Sequence, residues 1–466
     1  MRPFDRSRAL VFLVAGAFFM ENLDGTVLTT ALPGMARAFG TDAVALNVGI
    51  TAYLLALAVF VPMSGWIADR YGARTVFAAA LAGFTLASVL CGLSGNVSEF
   101  VLARVLQGVA GAMMVPVGRL VVLRNTPKDG LVDAISTIVW PGLVAPVLGP
   151  PLGGLITTYA SWRLIFFLNV PLGLAALALA LRLVPDTRED DSRPFDWWGF
   201  ALLGLACGLL TTGLDRVAAR PVPWAQIAGL LLVGVGLTVA AVRHLRTCPH
   251  PLLRLDALRV PTFLAALRGG SMARCAIGAM PFLLALLFQV GFGLTAAGAG
   301  LLVLWTFAGN LAMKTVTSRV LRRFGFRKAL LANGLGAVLA ILAVIPLTPA
   351  TPYAVVAATL FVGGMTRSMQ FTAVNTLSFA DVRDREMGAA STLSSTIVGL
   401  VFGLGVAFAA VALRFAVIVH RNPGPNPSLA DFRLALLLVA ALCALSLWDF
   451  FRLPRDAGEA IVGGQA

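Results

Sequence analysis

Two carboxylates, Glu21 and Asp24, sit inside the first long apolar run of this chain, residues 9–33. On a helix rising about 1.5 Å per residue they lie roughly 18–23 Å along a path across a hydrocarbon core about 30 Å thick. A charge at such a depth costs at least ~2.5–3.5 kcal/mol on insertion scales. Three residues apart, the acids share one helical face. Such a pair can bind protons reversibly or attract a cation, because a low dielectric favours the neutral carboxyl unless a counter-charge stands near. Arg104 is the candidate counter-charge, in the fourth apolar run, with Gln107 one turn on. About a turn and a half from the outer end of its span, Arg104 is expected to be partly wetted, with snorkelling to that surface as the alternative. Arg119 lies nearer the inner end, where snorkelling and function are equally good readings. The second half adds bases to its spans: Arg268 close to an end, Arg274 and Lys314 deeper, and Arg367 in mid-helix beside Gln370 and Asn375. A cavity with Glu21 and Asp24 on one wall and these bases on the other would be polarised. Unless carbonyls of their own half satisfy them, the bases would bind an anionic group. Gln107, Arg274, Lys314, Arg367, Gln370 and Asn375 are the candidates to line such a cavity.

The elements that position these residues are membrane helices. Of 466 residues, 58% are hydrophobic and 12% charged, against about 25% charged in soluble domains, so the chain is an all-α polytopic membrane protein. Spanning runs are expected at 9–34, 46–68, 75–95, 99–123, 133–157, 163–184, 196–215, 223–243, 262–290, 296–318, 329–347, 352–377, 387–417 and 431–451, fourteen in all. The net charge of +14 reads as positive-inside topology and excludes a nucleic-acid partner. With a cytoplasmic N-terminus the inner loops carry about 23 basic residues and the outer loops about 5, so both termini are expected in the cytoplasm. The N-terminus has no cleavage site and reads as a retained first helix. The polar linker 184–200 ends in the interfacial pair Trp197 and Trp198, and the basic, proline-broken stretch 243–263 is expected on the inner surface. These two segments bracket a helix pair. The expected organisation is a six-helix bundle over 1–184, a linker with two extra helices and the inner segment over 185–260, a second six-helix bundle over 261–453, and a tail over 454–466.

Three further patterns carry function. Gly65, Asp69, Arg70, Gly72 and Arg74 form a short loop between the second and third spans. Gly65 would allow close helix approach, Gly72 a tight turn, and Asp69 a latch to a helix N-terminus or a neighbouring Arg. A degenerate copy, SRVLRRFGFR at 318–327, matches Gly72 with Gly325, Arg70 with Arg323 and Arg74 with Arg327, as expected for parallel halves of a transporter. In the fifth span, Gly142, Gly149, Pro150, Pro151, Gly153 and Gly154 make a kinked helix with a small-residue face. Cys91, Cys207, Cys275 and Cys443 lie in apolar runs and Cys248 in a basic loop; no metal spacing or disulfide framework is visible, and all five read as packing residues. His244, His250 and His420 read as solvated loop residues. No nucleotide-binding loop or hydrolase constellation occurs, so an ATP-driven pump and an enzyme are excluded, and no cofactor or metal is expected.

The 65–74 loop resembles the signature loop of the major facilitator superfamily, and Arg104, Gln107 and Gly108 resemble its R-x-x-Q-G proton-relay motif. The Gly/Pro pattern of the fifth span resembles the antiporter motif of its export branches. The runs LDGTVLTTALP, 23–33, and WRLIFFLNVPLG, 162–173, with Trp162, Arg163, Phe166, Asn169, Pro171 and Gly173, resemble the fourteen-span drug:proton antiporter branch. The likeness covers residues 10–450. It implies a major facilitator fold of two six-helix bundles plus two inserted helices, in a bacterial inner membrane. It also implies export of small amphipathic, often cationic compounds against proton influx. Asp24 would be the main coupling site and Arg104 its relay partner. Relatives usually carry an uncharged polar residue where Glu21 stands, so Glu21 becomes a second proton or substrate-cation site. The expected partners are a small-molecule substrate, protons and the lipid bilayer. A periplasmic adaptor or outer-membrane channel is compatible and leaves no mark in the sequence. The alternatives are a specific exporter of an anionic metabolite or metal chelate, such as a carboxylate or siderophore, and a non-transporting membrane sensor.

Overall fold

Runs of twenty or more apolar residues can satisfy their backbone groups in hydrocarbon only by closing helices. The computed structural model describes residues 3–126, 131–185, 194–216, 223–383, 386–421 and 426–454, and among them it is helical without strands. Residues 186–193 of the linker and the tail from residue 455 lie outside the described residues, as do Lys128 and Arg385. In chain order the helices are α1 (Pro3–Phe39), α2 (Asn47–Phe60), α3 (Ser64–Tyr71), α4 (Ala73–Leu93), α5 (Val97–Asn125), α6 (Leu131–Tyr159), α7 (Arg163–Phe167), α8 (Asn169–Leu183), α9 (Trp197–Asp215), α10 (Trp224–Thr247), α11 (Pro261–Leu286), α12 (Ala296–Leu342), α13 (Tyr353–Phe379), α14 (Met387–Val419) and α15 (Leu429–Phe451). Caps mark several starts: the Asn96 side chain accepts from Glu99 N–H at 2.9 Å, and Ser428 with Asp431 closes a capping box on α15.

Among the described residues, twelve segments are long and apolar enough to cross a membrane. One of the described helices, α12, holds two of them, Ala296–Thr317 and Arg319–Leu342, and kinks at Gly325. The proline-broken α6 and the polar-rich α13, of 29 and 27 residues, are long enough to span but fall outside that apolar set. The fourteen expected runs all coincide with helix, and the difference from twelve lies in these two.

The packing gives two bundles. In the first, α1 lies against α6, α5 against α2 and α4, and α8 against α4. In the second, α11 packs on α14 and α15, and α12 on α13 and α15. Two seams join them, α6 with α12 and α2 with α14. The inserted hairpin α9–α10 covers the second seam: α9 packs on both α2 and α14, while most of α10 is exposed. An aromatic cluster roots it, with Phe195 4.9 Å and Trp197 6.1 Å from Trp66, ring centre to ring centre. The segment that follows α10 sits on the second bundle, where Leu253 and Ala257 pack with Phe263, Val382 and Leu393.

The repeat suspected between the halves is present in the backbone. Gly72 and Gly325 have φ of +88° and +73°, a region that disfavours any side chain. Arg74 donates to the Leu181 carbonyl at the end of α8, and Arg327 donates to Phe451 O at 2.8 Å at the end of α15. Each loop is therefore tied to the last helix of its own bundle. Gly65 does not serve close helix approach: it is exposed, and a Cβ there would meet nothing within 4 Å. Two histidines are likewise more than solvated loop residues. His244 Nε2 lies 2.7 Å from Asp196 Oδ1, and His420 Nδ1 lies 2.8 Å from Asp431 Oδ1.

Candidate functional site

Asp24 points from the middle of α1 into the first bundle and is 1% exposed. Arg104 of α5 reaches it with Nη1 at 2.6 Å from Oδ2 and is 0% exposed. Arg104 is neither partly wetted nor snorkelling: its guanidinium is shut from solvent and paired with Asp24, one of the two partners expected for it. The rest of the carboxylate is satisfied too. Gln107 Nε2 and Asn169 Nδ2 donate to Asp24 Oδ1 at 2.9 and 3.0 Å. Both side chains also donate to Ser88 Oγ, and Gln107 Oε1 accepts from Arg104 Nη1 at 2.6 Å. The guanidinium stacks 4.3 Å from the centre of the Tyr53 ring. Close approach makes this assembly fit: a Cβ on Gly108 would collide with the Tyr53 carbonyl at 2.5 Å. Gln107 therefore belongs to the hydrogen-bonded cluster around Asp24 and does not line the cavity described below. Ser88 and Tyr53 were not legible as members, since a lone Ser or Tyr in an apolar run carries no spacing signal. Asn169 was legible only as part of the 162–173 motif.

Glu21, one turn earlier on α1, does not join the cluster. Its Oε2 is shut from solvent and has no hydrogen-bond partner. The charges that face it are Arg119 and Asp24. Arg119 holds its guanidinium 5.3 Å from the Phe18 ring, so this base turns inward along α1.

In the second bundle the bases are less well matched. Arg274, 1% exposed, donates from Nη2 to Asn375 Oδ1 at 2.6 Å, but its buried Nε has no partner. Arg367 lies 5.3 Å over the Phe307 ring with a buried Nη1 that has no partner. Lys314 has one long contact, 3.4 Å to Thr372 Oγ1. Lys314 and Arg367 line a cavity of about 170 Å³ together with Phe307, Asn310, Phe371 and Phe402, and Gly142 and Pro146 of α6 close it from the first bundle. Its described lining includes no acid. The picture of acids and bases on facing walls is therefore corrected: neither Glu21 nor Asp24 lines this cavity. Gln370 turns away, its Oε1 accepting from Asn333 Nδ2 at 2.9 Å. Arg268 is a surface residue near Asp449, as its position suggested.

The glycines of α6 permit contacts on two sides. A Cβ at Gly142 would strike the Phe18 ring, at Gly149 Thr26, and at Gly153 the Val27 carbonyl, all on α1. At Gly154 it would strike the Ala296 backbone of the other bundle, and Gly300 meets the Pro150 carbonyl in the same way. Two polar links between the halves lie at this end, away from the 65–74 and 318–327 loops. They run from Gln289 Nε2 to Thr30 O at 3.1 Å and from Ala297 N to Thr158 Oγ1 at 3.0 Å. Asp69 and Arg70 lie at the other end, Arg70 5.5 Å from the Trp66 ring.

Residues 14–406 match the family described as Major Facilitator Superfamily. The chain is 36% identical over 455 residues to MdtD of Escherichia coli O6:H1, a protein named for multidrug resistance, covering 98% of this chain and 96% of that one. The MdtD protein of Shigella boydii serotype 18 is 36% identical over the same length. Among solved structures, a bacterial homologue of the human lysosomal transporter Spinster, inward-facing and unoccupied, aligns with a TM-score of 0.68 at 14% identity, covering 98% of each chain. A D-xylose–proton symporter aligns with a TM-score of 0.64 at 14% identity, covering 97% of this chain and 98% of that one. A secondary transporter rather than an enzyme fits every one of these matches and the buried charge network alike: the chain belongs to the major facilitator superfamily.

Proposed function

We propose that this transporter exports small amphipathic compounds from the cytoplasm in exchange for protons, by alternating access of the two bundles. The observation that carries the proposal is the dry Asp24–Arg104 pair inside a ring of neutral donors. Breaking one partner of such a pair leaves an uncompensated charge and costs about 3–5 kcal/mol. A proton on Asp24 cancels the attraction without leaving a bare carboxylate, and frees Arg104 and Gln107 to re-pair. Two states of comparable energy then differ by one proton. A proton moving inward also draws about 2.3 kcal/mol per 100 mV from the membrane potential. In this reading Asp24 couples, Arg104 relays and Glu21 supplies a second proton or cation site beside Arg119. Asp69 and Arg70 latch the cytoplasmic end, and the α6 glycines let the other end close. The domain limits are 184/185, 260/261 and 453/454, with fourteen spans, both termini in the cytoplasm and a bacterial inner membrane as the location. The name of the MdtD relatives supports drugs as substrates.

A second reading, a specific exporter of an anionic metabolite or metal chelate, is favoured by the cavity bases. Arg367 and Lys314 line the space with no described acid, and Arg274 stands beside it. Uptake into inverted vesicles with a pH-sensitive dye tests both readings. Asp24→Asn should abolish proton-driven movement of any substrate, and persistence of that movement would remove Asp24 from coupling. A lipophilic cation and a carboxylate chelate, compared in the same vesicles, separate the substrate classes. Lys314→Gln and Arg367→Gln should impair only the anion.

A further inference from the structure

At the loop-rich end of the inserted hairpin, Asp196, His244 and Cys248 come together with their ligand atoms all within 4.8 Å of one another. We propose that these three residues form a binding site for a borderline divalent cation of the zinc class. The transport reading uses none of them. Cys248 follows His244 by four residues, so the last turn of α10 presents imidazole and thiol on one face. Asp196 arrives from the residue before α9 and meets that face, with Oδ1 2.7 Å from His244 Nε2.

The donor set and its spacing suit the ion. Carboxylate, imidazole and thiolate with one open position are the ligands of an accessible zinc site, at bond lengths of about 2.0–2.3 Å. Tetrahedral bonds of that length hold ligand atoms about 3.3–3.7 Å apart. The Asp196–His244 pair would open by about 0.6 Å from its present distance as a metal ion replaces the proton between them, and the sulfur would close on both. The carboxylate is already aimed: Gly199 N–H donates to Oδ1 at 2.8 Å and Leu252 N–H to Oδ2 at 3.0 Å. Such outer hydrogen bonds orient metal ligands. The Cys248 thiol makes no hydrogen bond to a described side chain, which leaves it available. Asp196 and Cys248 both open onto a polar groove shared with His250, which gives an ion an access path. A bound ion would staple the two ends of the hairpin together and fix the start of the segment that lies on the second bundle.

Full-length protein purified in detergent without a histidine tag is titrated with Zn²⁺ against a chromogenic chelator, and with Co²⁺ by absorbance. One equivalent of Zn²⁺ is expected. A thiolate-to-cobalt charge-transfer band in the near ultraviolet should accompany the cobalt form. Cys248→Ser should abolish that band, and both it and His244→Gln should weaken Zn²⁺ binding at least tenfold while leaving the elution profile unchanged. The proposal is overturned by the absence of a bound equivalent, by wild-type cobalt spectra without a thiolate band, or by equal binding in the variants. Several weak equivalents indifferent to both substitutions would mean adventitious surface ions only. Because the readout is binding and not transport, failure here leaves the proton-exchange reading intact, and failure of that reading leaves this one intact.

Discussion

The two bundles treat their buried guanidinium groups in opposite ways. In the first, the charged pair is neutralised, dry and hydrogen-bonded on each carboxylate oxygen, with Asp24 and Arg104 both at or below 1% exposure. In the second, Arg274 and Arg367 keep buried nitrogens without partners, and Lys314 holds one long contact beside an open cavity. A satisfied network is stable by itself and changes only when a proton changes its charge. An unsatisfied one is incomplete until something else supplies the acceptor. In the proposed exchange reading, the first set would answer to the proton and the second would hold the cargo.

The strongest way to break this contrast is to unbalance the satisfied side. Arg104→Ala should abolish transport and lower the unfolding free energy in detergent by about 3–5 kcal/mol, because Asp24 is left charged and buried. Thermal denaturation read by a thiol-reactive dye checks this, and an unchanged midpoint would mean that the pair contributes nothing to stability. On the unsatisfied side the sign should reverse. Arg367→Gln should leave the melting temperature equal or higher, since it removes an uncompensated cation. It should also weaken binding of a carboxylate substrate at least tenfold, about 1.4 kcal/mol. A destabilised Arg367→Gln would show that its charge has a structural partner after all.

A third comparison concerns the seam rather than the bundles. Gly154→Val pushes a side chain into the Ala296 backbone. Reagents applied from the side opposite the 65–74 loop should then label a cysteine at Thr30 several-fold faster, while Gly65→Val, which meets open space, should change little. Glu21→Gln tests the acid that stands between the two regimes. It should reduce proton-driven transport several-fold without abolishing it, whereas a silent substitution would reduce Glu21 to a tolerated polar residue. The smallest effect should come from the twin loops. Arg74→Ala and Arg327→Ala each lose one hydrogen bond to a helix-end carbonyl, and each should cost about 1 kcal/mol of stability.

Much of this was legible in residue types and spacing. Apolar runs and loop charge located every helix, because hydrocarbon leaves the backbone one way to satisfy itself. The Asp24–Arg104 pair was readable since each charge demanded a partner at similar depth. The glycines of α6 announced close contacts, though not that Gly154 meets the other bundle while its neighbours meet α1. What escaped depended on direction around a helix axis. Gln107 and Gln370 turn away from the cavity, and Gly65 faces open space, none of which follows from position in a run. The Asp196–His244 contact joins residues on either side of an inserted hairpin. The four-residue step from His244 to Cys248 was visible, but it lacked meaning until the fold delivered a third ligand.

The placement of the inserted hairpin has a lateral consequence. With α9 laid over the α2–α14 seam, a greasy molecule dissolved in the bilayer meets a wall on that flank. The other flank, α6 against α12, has no such cover among the described helices, and its α6 and α12 residues line the central cavity. In the proposed export reading, a lipid-borne compound would approach by the α6–α12 flank, the one that the two extra helices leave uncovered among the described residues.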